Sequence, residues 1–204
     1  MKKLFSMLLA LTAWFAVITQ YELMVENRAA SVTETTIRFF SFFTILTNTL
    51  VAIYMTYQAG RSAFSKIRMP DKAGTLTAIT VYITIVGLVY QLIFQTWHPQ
   101  GLQKVVDELL HSVIPALVVV YWFLFEKKKA ISYSAISYWI IYPVCYLIYI
   151  LARGAFSSFY PYPFVDVSHI GMQQTLINSA VLLLVFVGTS ALFIFIGKRI
   201  SKNN

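Results

Sequence analysis

The sequence predicts an all-α, polytopic membrane protein, with six transmembrane helices in one bundle and both termini cytoplasmic. Three observations predict it. Of 204 residues, 58% are apolar and only 12% are charged, about half the charged share of an average soluble domain; a chain of this length cannot bury so much apolar surface in water. Uncharged apolar runs of about 20 residues, long enough to cross a bilayer as helices, recur along it. Lys and Arg are gathered into alternate connections. A soluble enzyme, a secreted disulfide scaffold and a disordered chain are excluded.

Runs between charges place the spans at Leu4–Met24, Ile37–Gln58, Thr75–Trp97, Leu109–Phe125, Ser134–Ala152 and Thr175–Gly197, forming a single six-helix domain over residues 1–204. The first follows Met1-Lys2-Lys3 but is too long for a signal-peptide core and lacks a convincing cleavage site, so it reads as a retained span. Twelve of the sixteen bases lie on one side: Lys2 and Lys3; Arg61, Lys66, Arg68 and Lys72; Lys127, Lys128 and Lys129; Lys198, Arg199 and Lys202. The positive-inside rule makes that side cytoplasmic. Trp97 and Tyr160 fit an outer aromatic belt, Trp122 and Trp139 an inner one. The net charge of +8 sits at helix ends rather than on one stripe, which argues against nucleic acid as a partner. The single cysteine, Cys145, lies in an apolar run and reads as a packing residue.

Under this topology His98, His111, His169, Asp107, Glu108, Arg153 and Asp166 all fall on the outer side. Loops account for His98, Asp166 and His169 without a function. His111 stands at the mouth of the fourth span, ahead of the apolar run Val113–Phe125, and an ionisable group there faces the bundle interior by default. Asp107 and Pro115 flank it at four residues each way, on one helix face, and Pro115 should kink or loosen the helix by freeing the His111 carbonyl. In the second span Ser41, Thr44, Thr47 and Asn48 form a polar stripe, with Thr44 about 9 Å below the outer helix end. Such residues also serve as interhelical glue or bond back to their own helix. Asn178, Gln91 and Gln95 lie at similar depth, so a polar pocket open to the outer leaflet is expected.

A threonine hydroxyl becomes a nucleophile when a neighbouring base takes its proton, and histidine is the usual base. Thr44 and His111 are the pair of compatible depth. Asp107 would fix the imidazole tautomer as the third member of a triad, with Asn48, Asn178 or Arg153 as oxyanion donors. The rival, a metal site built from histidines and Asp107 or Asp166, lacks an H-x-x-x-H or H-E-x-x-H pattern, so neither metal nor other cofactor is expected. The same cluster would also suit a non-catalytic lipid-binding or transport protein.

Three segments carry a family resemblance: Phe39 through Asn48 (FFSFFTILTN), Asp107 through Pro115 (DELLHSVIP), and Arg153-Gly154 with Tyr160-Pro161-Tyr162-Pro163-Phe164. Together they resemble the bacterial branch of the androgen-induced integral-membrane proteins, whose animal relatives are threonine hydrolases that cleave fatty acid esters of hydroxy fatty acids. The resemblance implies six spans, a catalytic threonine in the second and a catalytic histidine in the fourth. Phe43-Thr44-Ile45 best matches the nucleophile's context, with Thr47 the alternative, and His111 precedes Pro115 by four as the family's histidine precedes its proline. Asp107 stands where animal members have an amide. The expected substrate is a lipid ester entering from the outer leaflet of a bacterial cytoplasmic membrane. The resemblance assigns no role to the tyrosine-proline loop, which Pro161 and Pro163 would stiffen as an ordered lid near the outer mouth.

Overall fold

The computed structural model describes residues 1–60, 73–93 and 98–202, and every regular element among them is helical. Five helices are long and apolar enough to cross a membrane, and six when a bent pair counts as one span. The chain is an all-α, multi-pass membrane protein. Its contacts gather into two units, Met1–Ala130 and Ile131–Asn204.

The first unit begins with α1 (Lys2–Glu26), whose buried face carries Ser6, Leu9, Ala10, Ala13, Ala16 and Val17 at spacings of three and four. Small side chains let another backbone come close, the usual basis of helix association in lipid. The opposite face exposes Leu8, Leu11, Phe15 and Ile18, which in a bilayer meet acyl chains at no cost. Packed against α1 is α3 (Phe43–Ala59), with the Trp14 indole donating to Thr56 Oγ1 at 3.1 Å. Ser6 and the Tyr121 hydroxyl share a buried hydrogen bond of 2.8 Å.

The second span is not the continuous helix Ile37–Gln58 that its hydropathy predicts. It divides into α2 (Val32–Phe39) and α3, inclined to each other by 73°. Ser31 caps α2 by accepting from the Glu34 amide, and Glu34 pairs with Arg38 at 2.7 Å. The helix tightens at its end, where the Ser41 and Phe42 amides bond to the carbonyls of Arg38 and Phe39. The Ser41 hydroxyl bonds back to the Ile37 carbonyl at 2.7 Å, and Phe42 is extended. A serine that satisfies local backbone from its side chain competes with helix continuation. Ser41 therefore drops out of the stripe, and Thr44 lies in the first turn of a new helix rather than two turns into an old one.

Next come α4 (Thr75–Ile93) and a span over Gly101–Phe125. Residues 94–97, with Gln95 and Trp97, lie outside the described residues, as do 61–72 with Arg61, Lys66, Arg68 and Lys72. The Gly101–Phe125 span starts two turns before the expected Leu109. It comprises α5 (Gly101–Glu108), a π-helical turn at Leu109–Val113 and α6 (Ile114–Phe125). The sequence predicts that Pro115 kinks or loosens the helix; the structure shows the loosening, a widened turn in which the Ile114 amide reaches back five residues to the Leu109 carbonyl. The next such bond would need an N–H on Pro115, which has none.

In the second unit, α7 (Ile136–Trp139) and α8 (Ile141–Ser157) make up the span Tyr133–Ser157. Ser158, left-handed at φ 53°, ends α8, and a loop with a short 3-10 turn at Pro163–Val165 leads to α9 (Val167–Lys202). Gly171 (φ 75°, ψ 161°) breaks α9 after its first turn. The span of this last helix outruns the expected Thr175–Gly197 at both ends.

Candidate functional site

In the first unit the π turn and α3 are joined through Asn48, which is fully buried. Its side-chain nitrogen donates to the Thr44 carbonyl at 2.9 Å and to the Leu110 carbonyl at 3.2 Å. Leu110 is the residue whose π-type donor would have been Pro115, so Asn48 supplies from another helix the hydrogen bond that proline withholds. Both neighbours are pure acceptors, which fixes the orientation of the amide. Among the described residues its buried oxygen Oδ1 has no hydrogen-bond partner. The expected oxyanion-donor role does not suit this arrangement: the two amide hydrogens are spent on carbonyls, and what remains is an acceptor.

His111 sits in the π turn, largely enclosed, with its Nδ1 2.9 Å from the Asp107 backbone carbonyl. A carbonyl only accepts, so in the neutral ring Nδ1 carries the proton and Nε2 holds the basic lone pair. The triad expected from sequence is altered here, because the carbonyl of Asp107, not its carboxylate, takes Nδ1. The nearer carboxylate oxygen, Oδ1, is 3.7 Å away, and Oδ2 accepts from the Tyr90 hydroxyl at 2.5 Å. The Tyr90 ring lies against the imidazole, centroids 4.0 Å apart and planes 13° from parallel. One residue on, Gln91 donates to Ser112 Oγ at 3.0 Å.

The close approach of α4 to this turn depends on Gly87. A Cβ there would meet the His111 carbonyl oxygen at 2.9 Å and Pro115 Cβ at 3.4 Å. The His111 carbonyl, which a regular α-helical turn would pair with the missing N–H of Pro115, thus faces a helix with no side chain at that point. Thr44 is half-buried and Thr47 fully buried, so Thr44 is the more accessible of the two. The N-terminal turn of α3 brings the positive end of its dipole to Thr44.

The remaining sequence candidates are in the second unit, where they hold the tyrosine-proline loop. Arg153 donates to the Phe159 carbonyl at 3.3 Å, with its guanidinium 4.7 Å from the Phe159 ring centre. Asn178 donates to the Phe164 carbonyl at 2.9 Å and accepts from Gln174. Tyr160 covers Gly154 so closely that a Cβ would overlap its ring, and Tyr162 stacks on Phe164 at 5.2 Å. Asp166 accepts from the Ser168 amide and pairs with His169 Nδ1 at 2.7 Å. Slight desolvation pushes its carboxyl up, but the hydrogen bonds from His169 and Ser168 together outweigh it and hold the group below the usual carboxylate range. Among the described residues, no group of three His, Cys, Asp or Glu is arranged to hold a metal ion.

Sequence reasoning missed Gly87 and Tyr90. Together with Gln91 they recur at i, i+3 and i+4, one face of α4, so the Gln91 already singled out pointed along the right stripe. No protein-family model, curated protein or solved structure matches the chain.

Proposed function

We propose that this protein is a membrane-embedded hydrolase of lipid carboxylic esters, with Thr44 as nucleophile and His111 as base. The observation that carries the reading is the Asn48 amide, which ties the turn bearing Thr44 to the turn bearing His111 through the carbonyls of Thr44 and Leu110. The His111 tautomer adds support, since Nε2 is the nitrogen left basic. Thr44 Oγ attacks the acyl carbonyl while its proton passes to His111 Nε2. The oxyanion forms near the positive end of α3. As the tetrahedral intermediate collapses, the alkoxide leaves with the proton from His111, and water, deprotonated by the same nitrogen, releases the fatty acid and restores Thr44.

The substrate class follows from the solvent, since a site within the spans meets molecules that partition into lipid. Both termini cytoplasmic, in a bacterial cytoplasmic membrane, and substrate entry from the outer leaflet agree with the distribution of Lys and Arg. The resemblance to the threonine hydrolases of fatty acid esters of hydroxy fatty acids points the same way. An alkyl fluorophosphonate tests the reading: Thr44 Oγ would form the P–O bond, fluoride would leave, and His111 would take the proton. Labelling of the detergent-purified chain, lost in Thr44→Ala and His111→Ala and kept in Thr47→Ala, is the expected result. A folded Thr44→Ala protein that labels and hydrolyses esters at the wild-type rate would sink it, and no labelling of wild type would favour a lipid-binding protein.

A further inference from the structure

The proposed reaction uses Thr44 and His111 and leaves Tyr90 without a part. Yet Tyr90 touches both halves of the histidine's surroundings, its hydroxyl on Asp107 Oδ2 and its ring flat against the imidazole. We infer that Tyr90 is a positioning residue for His111. It holds the Asp107 carboxylate off the imidazole and fixes the ring plane, so that Nδ1 stays on the neutral Asp107 carbonyl. The geometric part stands by itself, while its consequence for rate rests on the hydrolase reading.

Asp107 and His111 are four residues apart, a spacing at which opposite charges on a helix close on each other. Oδ1 is already 3.7 Å from Nδ1, a small side-chain rotation short of contact. An ionised acceptor forms the stronger hydrogen bond, so a carboxylate left to itself would displace the carbonyl and turn the ring with it. Nε2, at the far side of the ring, would swing away from the position the reaction needs. The bond to the Tyr90 hydroxyl anchors the carboxylate at its other oxygen, and the parallel ring opposes rotation of the imidazole. The π turn completes the device by presenting the Asp107 carbonyl to Nδ1 at 2.9 Å.

Tyr90→Phe removes the hydroxyl and keeps the stacked ring. Nitrogen-15 NMR of histidine-labelled protein in micelles reads the tautomer, with His111 assigned by the signal lost in His111→Gln, and fluorophosphonate labelling reads the rate. We expect the neutral wild-type ring to carry its proton on Nδ1. Tyr90→Phe should change the Nδ1 signal and slow maximal labelling about tenfold or more at unchanged half-saturation. Adding Asp107→Asn to Tyr90→Phe should recover most of that loss, because an amide lacks the charge that draws the ring; a merely structural role for Tyr90 predicts no such rescue. A wild-type His111 protonated on Nε2, or His111 signals identical in Tyr90→Phe, overturns the inference. Should wild type never label, the hydrolase reading falls while the NMR comparison still decides the role of Tyr90. If Tyr90→Phe fails to fold, Tyr90→Trp, which also stacks without a hydroxyl, takes its place.

Discussion

Asn48 shows how much a single amide can decide inside a membrane. Its two N–H groups meet two carbonyls, on its own helix and on the π turn, and Asn48 is fully buried, so those carbonyls depend on donors within the protein. Asn48→Ala should therefore lower stability by about 1–3 kcal/mol, the cost of leaving a buried acceptor unsatisfied. Asn48→Asp should be worse than alanine despite its closer shape, because a carboxylate would face two carbonyl oxygens with nothing to donate. Thermal melting in detergent ranks the three proteins, and an aspartate variant as stable as wild type would show that Asn48 does not bridge the two turns. The sequence singled out Asn48 for its type and spacing. It gave no sign of whether the amide would donate to an oxyanion or to backbone, because that depends on which carbonyl stands opposite.

Among the elements, α4 does most to shape the site, although Gln91 is the one residue in it that the sequence singles out. Gly87 admits the His111 carbonyl, and the next turn delivers Tyr90 to the imidazole. Gly87→Ala should push the two helices apart, costing about 1–3 kcal/mol as overpacking does, and should also reduce fluorophosphonate labelling, since Tyr90 moves with the helix. At the other end of α4, Glu126 Oε2 accepts from the Thr77 amide and hydroxyl, each at 3.0 Å. Trp122 donates to the same hydroxyl at 2.8 Å. Glu126 thus caps from a distance a helix whose own first turn holds no acidic residue. Glu126→Ala should cost about 1 kcal/mol, and Glu126→Gln less, since its one oxygen can still accept from Thr77 while it loses the exposed bond from the Lys127 amide and the charge facing the helix dipole. Melting temperatures should fall in that order while labelling stays at the wild-type level. The break before α3 was equally hidden, because it arises where the Ser41 side chain competes for backbone hydrogen bonds, whereas the loosening ahead of α6 was legible from Pro115.

For the whole molecule, the distribution of bases predicts which side each connection faces. In a Cys145→Ser background, Asn27→Cys should react with a membrane-impermeant maleimide added to intact cells, and Lys3→Cys should react only after the membrane is opened. The reverse pattern would place the proposed site at the cytoplasmic face and remove the case for entry from the outer leaflet. The multi-pass helical character was legible because hydrophobic length is a property of the chain itself, set by transfer of each run from water to lipid, whereas the break in the second span and the outer limits of others were not. Which face of each run points inward was not legible, because exposed leucines such as Leu8 and Leu11 are as well placed against lipid as buried ones are against protein. The sequence by itself thus determined the solvent, the helical class and the residue types capable of chemistry, Thr44 and His111 among them. Only the tertiary structure decided that Asp107 holds His111 by its carbonyl, that Tyr90 occupies its carboxylate, and that Asn48 replaces the donor Pro115 lacks. Hydrogen bonds depend on partners brought together from distant parts of the chain, and in lipid every one of them must be found within the protein.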